Sequence, residues 1–360
     1  TPSRTLELLA PCKTCDIGIE ALKHGADAVY IAAAFSARAN AGNSMSEIER
    51  LASFAHRFNG RVYMALNTIF SDEELPEAVR LAHQAYHAAL MRDRSRHGTA
   101  DVRSAADPAA CIHSVRYPHH GKAVFLESIG FSQIVPAREL TLGQIQEMAE
   151  ALKTARIEFF IHGALCVSYS GQCYASQAFK GRSANRGDCA QICRLPFDLF
   201  DEEGKSISAA NISFLERQQP VSEPTTPQLA AGVRSFKIEG RYKDLTYVKN
   251  TTAFYRRELD AWLEKHPDFE AESDGKVEFN FEPRSRTLST AEQPTTLSTA
   301  AATIWSLQHA ENSGAVIGQV VKLTTAPSSL TKEELHNGDG LTFLPTRNEL
   351  SGSDHRAEQR

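Results

Sequence analysis

Cys166, Cys173, Cys189 and Cys193 fall in one glycine-punctuated segment, separated by six, fifteen and three residues. Thiolates are soft ligands suited to iron–sulfur clusters, zinc or copper(I). Zinc sites usually pair close C-x2-4-C knuckles. Gaps of six and fifteen fit a cluster enclosed by a longer loop better. Buried core thiols and disulfides are the competing readings. Gly163, Gly171, Gly181 and Gly187 break the segment into turns, a poor core pattern. No signal peptide is visible and seven cysteines is an odd count, unlike a secreted disulfide scaffold. Cys12 and Cys15 form a separate C-x2-C pair. That spacing can be redox-active or metal-binding, but no thioredoxin-like context surrounds it, and plain architecture is the favoured reading.

The other candidates stand where predicted strands end. His162 closes the run F-F-I-H-G and could act as a general base, although a lone histidine more often hydrogen-bonds its own loop. Arg138 and Glu139 could bind an anion and act as or orient a base, or could simply pair with each other. Lys237, Glu239 and Arg241 alternate, so on a strand they share a face. Three charges directed into an apolar core would be costly, which favours a polar pocket. Asn67 ends another strand.

These residues need elements to hold them. Apolar runs at Thr5–Ala10, Ala28–Ala32, Arg61–Asn67, Gln133–Ala137, Ile157–Gly163 and Ser235–Glu239 read as strands. Helical patterns follow at Cys15–His24, at Met45–Asn59 (capped by Asn43 or Ser44), from about Asp72 to Tyr86, and at Ala123–Gly130 and Thr141–Ala155. A last, long one runs over Leu245–Lys265. Regular alternation of strand and helix calls for an α/β fold with a parallel sheet and right-handed crossovers.

The segment E-F-F-I-H-G-A-L-C-V-S-Y-S-G-Q-C resembles the signature of the collagenase-like peptidase family, peptidase family U-32. R-S-A-N-R-G-D-C-A-Q-I-C-R is similar to its second cysteine block. The likeness extends to E-L-L-A-P, G-A-D-A-V-Y-I, V-Y-M-A-L-N-T and S-F-K-I-E-G-R-Y-K-D. It implies a (β/α)8 TIM-barrel-like domain with the cysteine-rich loop at its mouth, since barrel chemistry sits at the C-terminal ends of the strands. It also implies a four-iron four-sulfur cluster on Cys166, Cys173, Cys189 and Cys193. The branch resembled hydroxylates a tRNA uridine or a ribosomal RNA cytidine, with prephenate as a co-substrate. In that setting His162, Glu139 and Glu239 are the catalytic candidates. Arg138, Lys237, Arg241 and Asn67 are the substrate-binding ones. A family peptidase acting on collagen-like chains and a non-catalytic zinc-stabilised RNA-binding module are the alternatives. The first has no G-x-S-x-G elbow and no H-E-x-x-H helix to support it.

Residues 1–265 are expected to form the barrel domain and residues 266–360 a small C-terminal β-rich module. Three stretches break the pattern: 91–122, 216–227 and 284–304. They lack either period and read as frameshifted patches. A back-translation of Asp93–Asp101 moved by one base gives I-V-Q-D-M-A-L-L, a family-like strand, and Val115–Lys122 gives S-D-I-R-T-T-E-K.

Composition sets the outer bounds. A net charge of −5 in 360 residues argues against a strongly basic nucleic-acid platform but leaves room for a local basic surface. No eighteen-residue apolar run is present, so no membrane span is expected. The expected compartment is the cytoplasm.

Overall fold

A computed structural model describes residues 4–32, 43–65, 71–93, 111–115, 121–137, 140–163, 166, 168, 173–194, 196–197, 200–206, 212–214, 226–240 and 243–283. It also describes short strands within 305–354. Strands β1 (Thr5–Cys12), β2 (Ala28–Ala32), β3 (Arg61–Ala65), β4 (Cys111–Val115), β5 (Gln133–Pro136) and β6 (Arg156–His162) alternate with helices. Those helices are α1 (Cys15–Lys23), α2 (Met45–Ala55), α3 (Leu75–Asp93), α4 (Gly121–Ser128) and α5 (Leu142–Ala151). After the cysteine segment with its short helix α6 (Ala175–Lys180) come β7 (Pro196–Phe197), β8 (Ile212–Phe214), α7 (Thr226–Ala230), β9 (Val233–Ile238), α8 (Leu245–Leu263) and β10 (Glu270–Ala271).

The helices start where the sequence provides caps. Thr14 Oγ1 accepts from the Ile17 amide, Ser44 and Glu47 form a reciprocal capping box, and Asp244 accepts from the Tyr247 amide. Such caps satisfy amides that a first helical turn leaves without partners. Thr141 and Gln144 repeat the capping box on α5.

The main sheet runs β3-β2-β1-β9-β6-β5-β4, every pairing parallel, and β10 adds to the start of β1. Curled with helices outside, it makes a half-barrel of the expected α/β, TIM-barrel-like class. Its edges are β3 and β4, which do not pair with each other among the described residues. Alternation separates the two faces of each strand. Leu6, Leu8, Val29, Ile31, Ile134, Ile157, Phe236 and Ile238 pack outward against Ala21, Ile48, Leu51, Ile145, Met148, Val248, Tyr255 and Leu259 of the helices. Each fully buried Leu, Ile or Phe contributes about 2 kcal/mol of hydrophobic stabilisation.

Two features differ from the sequence reading. Residues 91–122 contain the end of α3 and the strand β4, despite lacking a strand period. Residues 94–110 and 116–120 of that stretch, together with 284–304 and most of 216–227, lie outside the described residues. Also, the chain beyond residue 265 stays with the barrel. The Glu272 amide donates to the Leu6 carbonyl, the Asp274 amide to the Phe58 carbonyl, and the Ser273 hydroxyl to buried Asp27 at 2.6 Å. Further on, β12 (Gly318–Lys322) pairs antiparallel with β13 (Ser328–Thr331), and β14 (Gly340–Phe343) with β15 (Ser351–Asp354); the two-residue β11 (Trp305–Ser306) precedes them and pairs with β8. Among the described residues no helix is long and apolar enough to cross a membrane.

Candidate functional site

The concave face of the sheet is charged. Glu7 of β1 accepts from the Tyr63 hydroxyl at 2.7 Å, the Ser235 hydroxyl at 2.6 Å and the Arg156 guanidinium at 2.8 Å. Arg156 also reaches Glu272 at 2.9 Å, and Arg61 reaches the same carboxylate at 2.5 Å. Gln133 donates to Glu158 at 2.5 Å, and the Lys237 ammonium donates to the other oxygen of Glu158 at 2.5 Å. Glu7 and Glu158 are fully buried. A buried carboxylate persists only when its lone pairs are met by donors, and here each has several. Burial and the neighbouring Glu7 charge push the Tyr63 phenol well above its ordinary pKa, so Tyr63 serves as a donor.

Lys237 lies in this network, on the face predicted from its alternation. Its ammonium sits 4.5 Å from the Tyr30 ring centre and 5.1 Å from that of Phe160. Its ion-pair partner was not identified from the sequence. The available signal was a glutamate inside each of two apolar strands, E-L-L and I-E-F-F. Towards the C-terminal ends of the same strands stand small buried side chains, Ala32, Ala65 and Ala137.

His162 faces the other way. The β6–β9 pairing shifts register between Phe160 and His162, setting His162 opposite Ile238, an outward residue. A bulge of this kind re-aims the side chains beyond it. The imidazole packs against the Tyr247 and Tyr255 rings, with Nδ1 at 3.1 Å from the Tyr255 hydroxyl. That hydroxyl also lies 3.2 Å from the Ile161 carbonyl, to which it can donate. Nε2 is buried without a hydrogen-bond partner among the described residues. Burial, reinforced by the Lys243 charge, lowers the His162 pKa to about 4. The geometry is that of a neutral supporting side chain behind the strand end.

Glu239 directly follows β9. Its amide donates to the His162 carbonyl at 2.7 Å, locking the ends of β6 and β9 together. Gly163 makes this possible: its φ is +111°, and a Cβ there would lie 2.6 Å from that of Glu239. Glu239 is therefore brought beside the start of the cysteine loop. Arg138, Glu139, Arg241 and Asn67 lie outside the described residues.

The cysteine segment folds into a small module beyond the end of β6. Asn185 accepts from the Cys173 amide at 3.0 Å, and Ser176 of α6 accepts from the Ala190 amide at 3.0 Å. These bonds bring the ends of the fifteen-residue gap together, with Ile192 buried beneath. The Gln191 amide donates to the Cys189 sulfur at 3.4 Å, and the Cys166 sulfur stands 2.9 Å from the Ser168 hydroxyl. Arg186 bonds Glu74, just ahead of α3, at 2.6 Å. Cys166, Cys173, Cys189 and Cys193 are all half-buried. Among the described residues no group of three or more His, Cys, Asp or Glu side chains is gathered closely enough to hold a metal ion. The donor chemistry fits an iron–sulfur cluster: four half-buried thiols in one segment, one of them, Cys189, accepting an amide N–H···S bond of the kind that tunes such centres.

Cys12 and Cys15 are different. Both are buried; Cys12 donates to the Tyr30 carbonyl at 3.3 Å, and burial pushes the Cys15 thiol up. A thiol pushed up in this way lacks the thiolate character of a reactive cysteine, so Cys15 is not primed for redox or nucleophilic chemistry.

The description of peptidase family U32 matches residues 13–291. The chain is 42% identical over 354 residues to the 23S rRNA 5-hydroxycytidine C2501 synthase of Escherichia coli (strain K12), covering 96% of this chain and 53% of that one. It is 30% identical to tRNA hydroxylation protein P1 of Bacillus subtilis (strain 168), covering 73% of this chain and 65% of the relative. A protein named collagenase from Porphyromonas gingivalis (strain ATCC BAA-308 / W83) is 28% identical, with 74% and 68% covered. The chain thus spans about half the length of the first of these relatives.

Proposed function

The chain belongs to peptidase family U32, and from that premise we propose that it hydroxylates an RNA base, a ribosomal RNA cytidine or a tRNA uridine. The observation that carries this reading is the 42% identity to a ribosomal RNA cytidine hydroxylase along 96% of the chain. The branch of the family with a tRNA hydroxylation name supports the same class of substrate. We propose the cytoplasm as the compartment of that reaction.

Cys166, Cys173, Cys189 and Cys193 would hold a four-iron four-sulfur cluster, which supplies one-electron chemistry when bound. Glu239, fixed by Gly163 beside the cysteine loop, and Glu139 are the residues proposed to move protons. Arg138 and Arg241 would clamp an anion, a role suited to the planar guanidinium fork; the carboxylates of prephenate are the proposed ligand. Asn67 would contact the base. Lys237, neutralised by Glu158, sets the charge of the floor below them. His162 holds the strand end from the helix side.

The test is anaerobic. Iron-reconstituted protein, given prephenate and RNA lacking the modification, should yield a hydroxylated pyrimidine by nucleoside mass spectrometry. Replacing any one of the four cysteines by serine should lower both iron content and product, by about tenfold or more in product. Peptide release from gelatin without RNA product would favour the peptidase reading. One tightly bound zinc with no product would favour the RNA-binding module.

A further inference from the structure

Tyr174 and Phe179 are the most exposed large hydrophobic side chains among the described residues, at 69% and 67%. Both belong to the cysteine module: Tyr174 immediately precedes α6 and Phe179 lies near its end. Neither supports the fold. Tyr174 makes no side-chain cap to the helix, and Phe179 is absent from the core. Large aromatic rings held out in water on an ordered element mark a binding surface more often than chance exposure.

Charge points to the partner. Residues 164–194 carry Lys180, Arg182, Arg186 and Arg194 against the single acid Asp188, in a chain whose overall charge is −5. Arg182 is held by Asp188 and Arg186 by Glu74. Lys180, next to Phe179, is exposed and forms no ion pair among the described residues. Aromatic faces interleaved with basic side chains bind unpaired nucleotides, because bases stack on the rings while cations follow the phosphates.

We infer that Tyr174 and Phe179 form a stacking platform that holds unpaired nucleotides of the RNA substrate against the cysteine module. This inference rests on the RNA-modifying function proposed above and adds the place where the strand is gripped. It requires the target base to lie in a loop or single strand, since a paired base offers no free face.

The experiment measures binding to a labelled pyrimidine-rich single-stranded RNA by fluorescence anisotropy, with the same sequence as a duplex and a gelatin peptide as comparators. Tyr174→Ala with Phe179→Ala should weaken single-strand binding by roughly tenfold or more. Tyr174→Trp with Phe179→Trp should restore it, and iron content should be unchanged in both. Lys180→Ala should lower the slope of log affinity against log salt by about 0.7, the contribution of one phosphate contact on a single strand. Unchanged affinity in the double alanine variant, with the parent chain binding RNA, would overturn the platform and leave the RNA function standing. A parent chain that binds no RNA would overturn that function as well. Loss of gelatin binding with RNA binding intact would assign the surface to peptide and also overturn the inference.

Discussion

Arg186 and Glu74 are joined at 2.6 Å although 112 residues separate them in the sequence. The contact ties the cysteine module, carried by β6, to the segment that follows β3. In the sheet those two strands are separated by β2, β1 and β9. The bond therefore spans the mouth of the half-barrel. Both side chains are partly exposed, so solvent screens the pair and it adds little to global stability. Arg186→Ala should leave the unfolding midpoint nearly unchanged while speeding amide exchange in residues 183–190 and 71–75. Exchange rates identical to the parent chain in both segments would show that the contact does not restrain the module.

The buried imidazole of His162 gives stability a specific pH dependence. Its pKa is lowered from 6.5 to about 4 by burial, so between those values the folded chain binds fewer protons at this site than the unfolded chain. Its contribution is fully present above about pH 6.5 and is lost as pH falls toward 4. Between pH 7 and pH 5 the loss should be about 2 kcal/mol. His162→Gln, measured by urea unfolding at both pH values, should reduce the acid-side loss by that amount. An unaltered pH slope would mean that the imidazole is solvated in the folded chain.

Glu158 and Lys237 are sealed from solvent together, at 0% and 3% side-chain exposure. Removing one charge leaves the other buried without its partner. Lys237→Met should cost roughly 3–5 kcal/mol, and adding Glu158→Gln should recover much of that loss. Denaturant unfolding of the two single variants and the double variant gives the coupling directly. Additive losses would place the ammonium and the carboxylate in separate, solvated environments.

The aperiodic stretches give a prediction about the gene. Sequencing the coding DNA across codons 90–122 should show a one-base insertion or deletion relative to a reading that restores I-V-Q-D-M-A-L-L. An independently cloned gene encoding the residues as written would refute it.

The strand–helix alternation was legible because each parallel strand is a short apolar run bounded by turns, and because Ser44-x-x-Glu47 announces its own helix. That Cys166, Cys173, Cys189 and Cys193 share one glycine-punctuated segment was legible from spacing alone. Other features were not. Periodicity assigned His162 to the strand's end but could not reveal the bulge that turns it outward, since one shifted residue exchanges the faces. Glu7 and Glu158 looked incidental in apolar runs because their partners lie on other strands, 126 residues from Glu7 in the case of Gln133. The bond from Arg186 to Glu74 had no local signature at all.

Glu272 answers a practical question. It lies nine residues past the end of α8 and accepts from both Arg61 and Arg156, while Ser273 beside it holds Asp27. A cut after the last long helix would strip two guanidinium groups of a shared counter-ion and leave a sealed aspartate short of a donor. The smallest portion of this chain that could be grafted onto another protein as a working unit therefore extends past residue 274, with the tail serving as the keystone of the floor.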